Sequence, residues 1–202
     1  YIGAMGFEER TTASVNALVD TGVRARRAFL LEFDMYYEAT AKRREEYQDL
    51  ITQLSNGRPY QPLNAPVGNP DPTFPERVKQ ALTTALGHEK GRIVFDCTSC
   101  PALILSKLLR LLVELRCDLT IAYSEAAKYF PTREEWESGK LKPRGAKIQG
   151  PFAGVRFVER PPSLQSDDTG ERPVLLVLFP TFNTERTAGV LVELEPAKRI
   201  WM

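Results

Sequence analysis

Histidine occurs once in these 202 residues and cysteine three times, and neither sign of charge dominates: 27 lysines and arginines face 26 aspartates and glutamates. Each shortage excludes something. With His88 outside every turn where chemistry would sit, no Ser-His or Cys-His nucleophile pair is expected. An odd, small number of cysteines makes no disulfide framework and points to a reducing, cytoplasmic setting. A zinc site would need His88, Cys97, Cys100 and Cys117 together, with only one C-x-x-C present. No metal and no cofactor is therefore expected. A formal charge of +1 lacks the basic excess of an extended nucleic-acid surface, while leaving room for a local basic site. No apolar run reaches the roughly 18 to 20 residues of a membrane helix. Even Leu103 to Leu115 is interrupted by Ser106, Lys107, Arg110 and Glu114. The chain also lacks a Gly-x-x-x-x-Gly-Lys-Ser/Thr loop, a Gly-x-Ser-x-Gly elbow and a His-Glu-x-x-His helix, and Gly3-Ala4-Met5-Gly6 is short of a dinucleotide fingerprint by one glycine.

What is present is an alternation of short apolar runs with longer helical patterns, the signature of βαβ units. The expected fold is α/β, a single Rossmann-like three-layer domain over 1–202 with a mostly parallel sheet. Strands are expected at 1–5, 27–33, 92–97, 118–123, 155–158, 174–179 and 199–202. Helices are expected at 9–20, 35–54, 75–86, 101–115 and 184–195. Gly22 follows the first helix, and Tyr47, Leu50, Ile51 and Leu54 give the second its apolar face. Thr98 or Ser99 is suited to cap the fourth, with Pro101 in its first turn. Six prolines and two glycines between 56 and 75 predict an ordered loop or lid there, and 163–172 predicts a flexible polar loop. The chain opens on Tyr1 inside a strand, which suggests part of a longer gene product.

In an open parallel sheet, ligands bind beyond the carboxyl ends of the strands, where helix N-termini point. That rule selects Gly6, Glu9, Arg10 and Thr11; Asp96, Thr98 and Ser99; Tyr123 and Glu125; and Thr181, Glu185 and Arg186. Arginines with hydroxyls suit a phosphate, and carboxylates suit a ribose hydroxyl or general base work. Glu-Arg-Thr occurs at two of these turns, 9–11 and 185–187. Cys97-Thr98-Ser99-Cys100 places C-x-x-C between strand and helix, as a redox site would. Alternation opposes this: if Asp96 and Thr98 face one way, Cys97 faces into the sheet packing.

The strand ending in Asp96-Cys97-Thr98-Ser99 and running into a helix resembles the central motif of the CARF domains, the CRISPR-associated Rossmann-fold sensors of cyclic oligonucleotides. Asp96 and Thr98 match that motif, and Ala102 stands where its basic residue belongs, so Arg10 and Arg186 are left to supply the charge. The resemblance implies a sensor domain of a prokaryotic antiviral defence system, usually dimeric and joined to an effector.

The leading expectation is a nucleotide-binding sensor or adaptor rather than an enzyme, with a cyclic oligonucleotide as the ligand that the resemblance implies and a protein partner or homodimer. One alternative is an interaction subunit of a larger protein complex with a vestigial pocket. The other is a carboxylate-dependent hydrolase or glycosidase acting on a nucleotide, with Glu125 or Asp96 as the catalytic group.

Overall fold

The computed structural model describes residues 1–33, 37–67, 71–87, 91–128, 132–138, 175–178, 184–194 and 198–201. They fall in two compact units, Tyr1–Ala127 and Lys128–Met202. The first is a three-layer α/β unit. Its five strands are β1 (Ile2–Ala4), β2 (Phe29–Phe33), β3 (Gln61–Ala65), β4 (Arg92–Asp96) and β5 (Asp118–Ala122). They form one parallel sheet in the order β3-β2-β1-β4-β5. Helices α1 (Ala13–Asp20), α2 (Tyr37–Leu54), α3 (Phe74–Leu86) and α4 (Ala102–Glu114) connect them, and a 3-10 turn, Glu9–Thr12, leads into α1.

Side-chain alternation along each strand divides the core in two. On one face, Phe29 and Leu31 of β2 and Ile93 and Phe95 of β4 pack with Phe74, Val78 and Leu82 of α3 and Ile104, Leu108 and Leu112 of α4. On the other, Met5 and Leu30 pack with Val15 of α1 and Tyr47, Ile51 and Leu54 of α2. Helix α4 turns only one side inward; Val113 on its far side is 70% exposed. Gly22 takes φ +77° just past α1, the left-handed conformation that lets the chain leave the helix toward β2.

Two local expectations are revised. The proline-rich stretch at 56–75 is not irregular throughout, because it contains β3. Pro62 is tolerated because β3 is an edge strand, and its residues pair in register with β2 from Phe29↔Gln61 to Phe33↔Ala65. The start of α4 has Pro101 at its N-cap position with no side-chain cap, so neither Thr98 nor Ser99 caps it. Both hydroxyls are engaged elsewhere.

In the second unit, α5 (Arg133–Glu137) starts with a capping box. Thr132 N–H donates to Glu135 Oε2 at 2.8 Å, and Glu135 N–H donates back to Thr132 Oγ1 at 3.2 Å. Strands β6 (Leu175–Leu178) and β7 (Lys198–Trp201) pair in parallel and are joined through α6 (Thr184–Leu194), a further βαβ unit. The strand expected at 155–158 and the loop at 163–172 lie outside the described residues. No helix among the described residues is long and apolar enough to cross a membrane.

Phe95 is fully buried at the centre of the larger core. Phe95→Ala is expected to cost about 3–5 kcal/mol, read as a lowered urea midpoint at unchanged slope.

Candidate functional site

The strand order reverses direction between β1 and β4, because their connections leave toward opposite faces of the sheet. In such sheets the crevice outside the carboxyl ends of that pair is where ligands bind. Here the crevice is knitted shut by hydrogen bonds. Asp96, at the end of β4, is 1% exposed. Its Oδ2 accepts from the Tyr1 hydroxyl and its Oδ1 from the Thr98 N–H, each at 3.0 Å. The Tyr1 and Tyr47 hydroxyls lie 3.0 Å apart. Thr98 Oγ1 accepts from Ser124 N–H at 2.9 Å and lies 3.2 Å from Ser14 Oγ, which is itself 2.7 Å from Ser124 Oγ. Thr11 Oγ1 and Ser99 Oγ meet at 2.7 Å. Gly6 sits against that pair: a β-carbon there would run into Cβ and Oγ of Ser99 and come within 2.7 Å of Thr11 Oγ1. The cavity beside Gly6 and Ser99 is about 60 Å³, room for a few waters.

The outer rim is different. Arg10, from the 3-10 turn, donates from Nη1 to the Tyr123 hydroxyl at 2.9 Å and to the Ser124 carbonyl at 3.0 Å, and pairs through Nε with Glu8. Its guanidinium lies 5.4 Å from the centre of the Tyr123 ring, a cation–π stack. Tyr123 is 55% exposed and Phe7, on the same turn as Arg10, is 50% exposed. Glu9 points outward, with Arg43 Nη2 at 3.8 Å. Glu125 is exposed, with no hydrogen bond or ion pair to the described residues.

Gly6, Arg10, Thr11, Asp96, Thr98, Ser99 and Tyr123 are therefore brought together at one edge. Thr181 lies outside the described residues, as do the side chains of Glu185 and Arg186 in the first turn of α6. Tyr1, Tyr47 and Ser14 were not among the expected site residues. Tyr47 sits in an apolar helical stripe, and the one available signal was its hydroxyl, which needs a partner when buried.

Alternation places Cys97 on the α3–α4 face, packed against the core, with Sγ 3.4 Å from the Ala122 carbonyl. Burial pushes the Cys97 thiol up and Cys100 up to about 12. Neither thiol is activated for redox chemistry. Among the described residues no group of three or more His, Cys, Asp or Glu side chains is placed to hold a metal.

Comparison with family models, with curated proteins and with solved structures finds no match for this chain.

Burial, reinforced by Asp96, raises both the Tyr1 and Tyr47 phenols above their ordinary value of 10.0. Below that value the phenols are neutral in both states and add no pH dependence. Above it the unfolded chain ionises first, so folding stability falls as pH rises. Urea midpoints measured from about pH 8 to pH 11 are expected to drop above about pH 10, with a shallower drop in Tyr47→Phe. Gly6→Ala is expected to cost about 1–3 kcal/mol in the same assay, because the Ser99 and Thr11 side chains must move.

Proposed function

We propose that the unit Tyr1–Ala127 binds a nucleotide-type ligand at the carboxyl edge of its sheet and acts as a sensor or adaptor. The observation that carries this is the pairing of Arg10 with Tyr123, flanked by the half-exposed Phe7, at the β1–β4 switch point. Exposed aromatic faces accept a stacked base, and a guanidinium fixed by three partners meets a phosphate without first losing its own freedom. Glu8 holds the Nε side of that guanidinium, and Nη2 makes no hydrogen bond among the described residues. Gly6, Thr11 and Ser99 set the floor beneath the ligand, and Thr98 and Asp96 hold the floor in place.

A cyclic oligonucleotide ligand, an effector or homodimeric partner and a role in prokaryotic antiviral defence are the finer form of the same proposal. They rest on the Asp96-x-Thr98 motif at the end of a central strand.

Binding is favoured over catalysis by the two carboxylates themselves. Asp96 has both oxygens occupied and is sealed from solvent, whereas Glu125 is exposed and has no partner among the described residues to orient it.

Calorimetric titration with a panel of cyclic oligonucleotides and nucleoside triphosphates tests this. Arg10→Ala and Tyr123→Ala are each expected to weaken binding by about tenfold or more, while Glu125→Gln binds as wild type and the ligand is recovered intact. Turnover of the ligand by the wild type, abolished in Glu125→Gln, would establish the hydrolase instead.

A further inference from the structure

A broad concavity lies at the opposite edge of the sheet, where the strands begin. It measures about 630 Å³ and adjoins two others of about 430 and 490 Å³, and all three share Arg27 and Ala85. Together they form an open trough beneath the ends of α1 and α3. Its floor is aliphatic, supplied by Leu18, Val23 and Leu86, and Val23 is 40% exposed. Its rim is cationic. Arg24 and Arg27 come from the turn between α1 and β2, and Arg58 from the turn between α2 and β3.

Two of these guanidiniums are held by main-chain carbonyls. Arg24 Nη1 donates to Val23 O at 2.8 Å and Val19 O at 3.4 Å, and Arg58 Nη1 donates to Arg26 O at 3.0 Å. Closing the end of α1 is part of what Arg24 does. Each guanidinium nevertheless carries five donors, most of which these bonds leave unused. Among the described residues, Arg24, Arg27 and Arg58 pair with no carboxylate. Asp118 at this edge meets Arg92 at 3.9 Å, and Asp20 at the end of α1 forms no ion pair with a described residue.

We propose that this trough docks an acidic peptide of a partner protein, an extended segment with aliphatic anchors between carboxylates. Leucine-sized side chains would fill the floor against Leu18, Val23 and Leu86, and Asp or Glu would take the arginines in forked, charge-assisted bonds. A single-stranded nucleic acid fits less well. It needs exposed aromatic faces to stack its bases, but of the aromatic residues lining the trough Phe29 is 4% exposed and Tyr1 commits its hydroxyl to Asp96.

The test is fluorescence polarisation with a short labelled peptide of alternating Glu and Leu, using the full chain, with oligothymidylate as competitor. Saturable binding is expected, weakened about tenfold or more in Arg27→Glu/Arg58→Glu and lost when the glutamates of the probe are replaced by glutamine. These arginines are at the surface, and a circular dichroism spectrum matching wild type establishes that the double variant is folded. Absence of saturable binding, or binding unchanged in the folded double variant, would overturn the proposal. Displacement by oligothymidylate at lower concentration than by unlabelled peptide would overturn it in favour of nucleic acid.

Discussion

The carboxylate of Asp96 is the point on which the carboxyl edge of the first unit is built. Buried without partners, an ionised carboxylate would cost several kcal/mol. Tyr1 and the Thr98 main chain meet it, and Tyr47 extends the chain of hydroxyls to α2. Strand β1, helix α2 and the β4–α4 turn are thereby fixed relative to one another by one group. Thr98, positioned by that turn, then takes the main-chain N–H of Ser124 and so locks the exit of β5 as well. A network this fully satisfied favours one arrangement over its neighbours, since removing any member leaves a buried polar group unpaired.

The rigidity inside that edge explains the division of labour proposed for it. Residues that the topology places at the switch point spend their polarity on each other, and Gly6 and Ser99 close the crevice to a few waters. Recognition is proposed for the rim, where Arg10 is braced by Glu8, Tyr123 and Ser124 beside two half-exposed aromatic side chains. The amino edge has the reverse design. Its Arg24 and Arg58 are tethered to main-chain carbonyls and border an open aliphatic trough. One edge is thus proposed for a small phosphorylated ligand and the other for an extended acidic chain, the pairing that the proposed adaptor role would use.

Much of this architecture was legible in the sequence because burial writes itself as period. The apolar runs 29–33 and 92–96 sit between layers on both faces and could be read as inner strands of a parallel sheet. The same alternation correctly turned Cys97 away from Asp96. β3 was not legible, because an edge strand tolerates a proline that an inner strand would not, and Gln61-Pro62-Leu63-Asn64 has little apolar pattern of its own. The site was legible only as far as the sheet rule reached. It gathered Arg10, Thr98, Ser99 and Tyr123 but not Tyr1 and Tyr47, whose hydroxyls reach toward Asp96 from positions that look merely apolar. The arginine edge has a different reason: Arg24 and Arg27 stand together in one turn of a chain of balanced charge, and only the fold brings Arg58 to them.

The central claim is that Arg10 marks a nucleotide site. Native mass spectrometry of the protein purified from its own host, wild type beside Arg10→Ala, tests it most directly. The account predicts a nucleotide-sized adduct on the wild type that is absent from the folded variant. An adduct equally retained by Arg10→Ala, or a wild type that stays empty even after addition of saturating nucleotides and cyclic oligonucleotides, would contradict it.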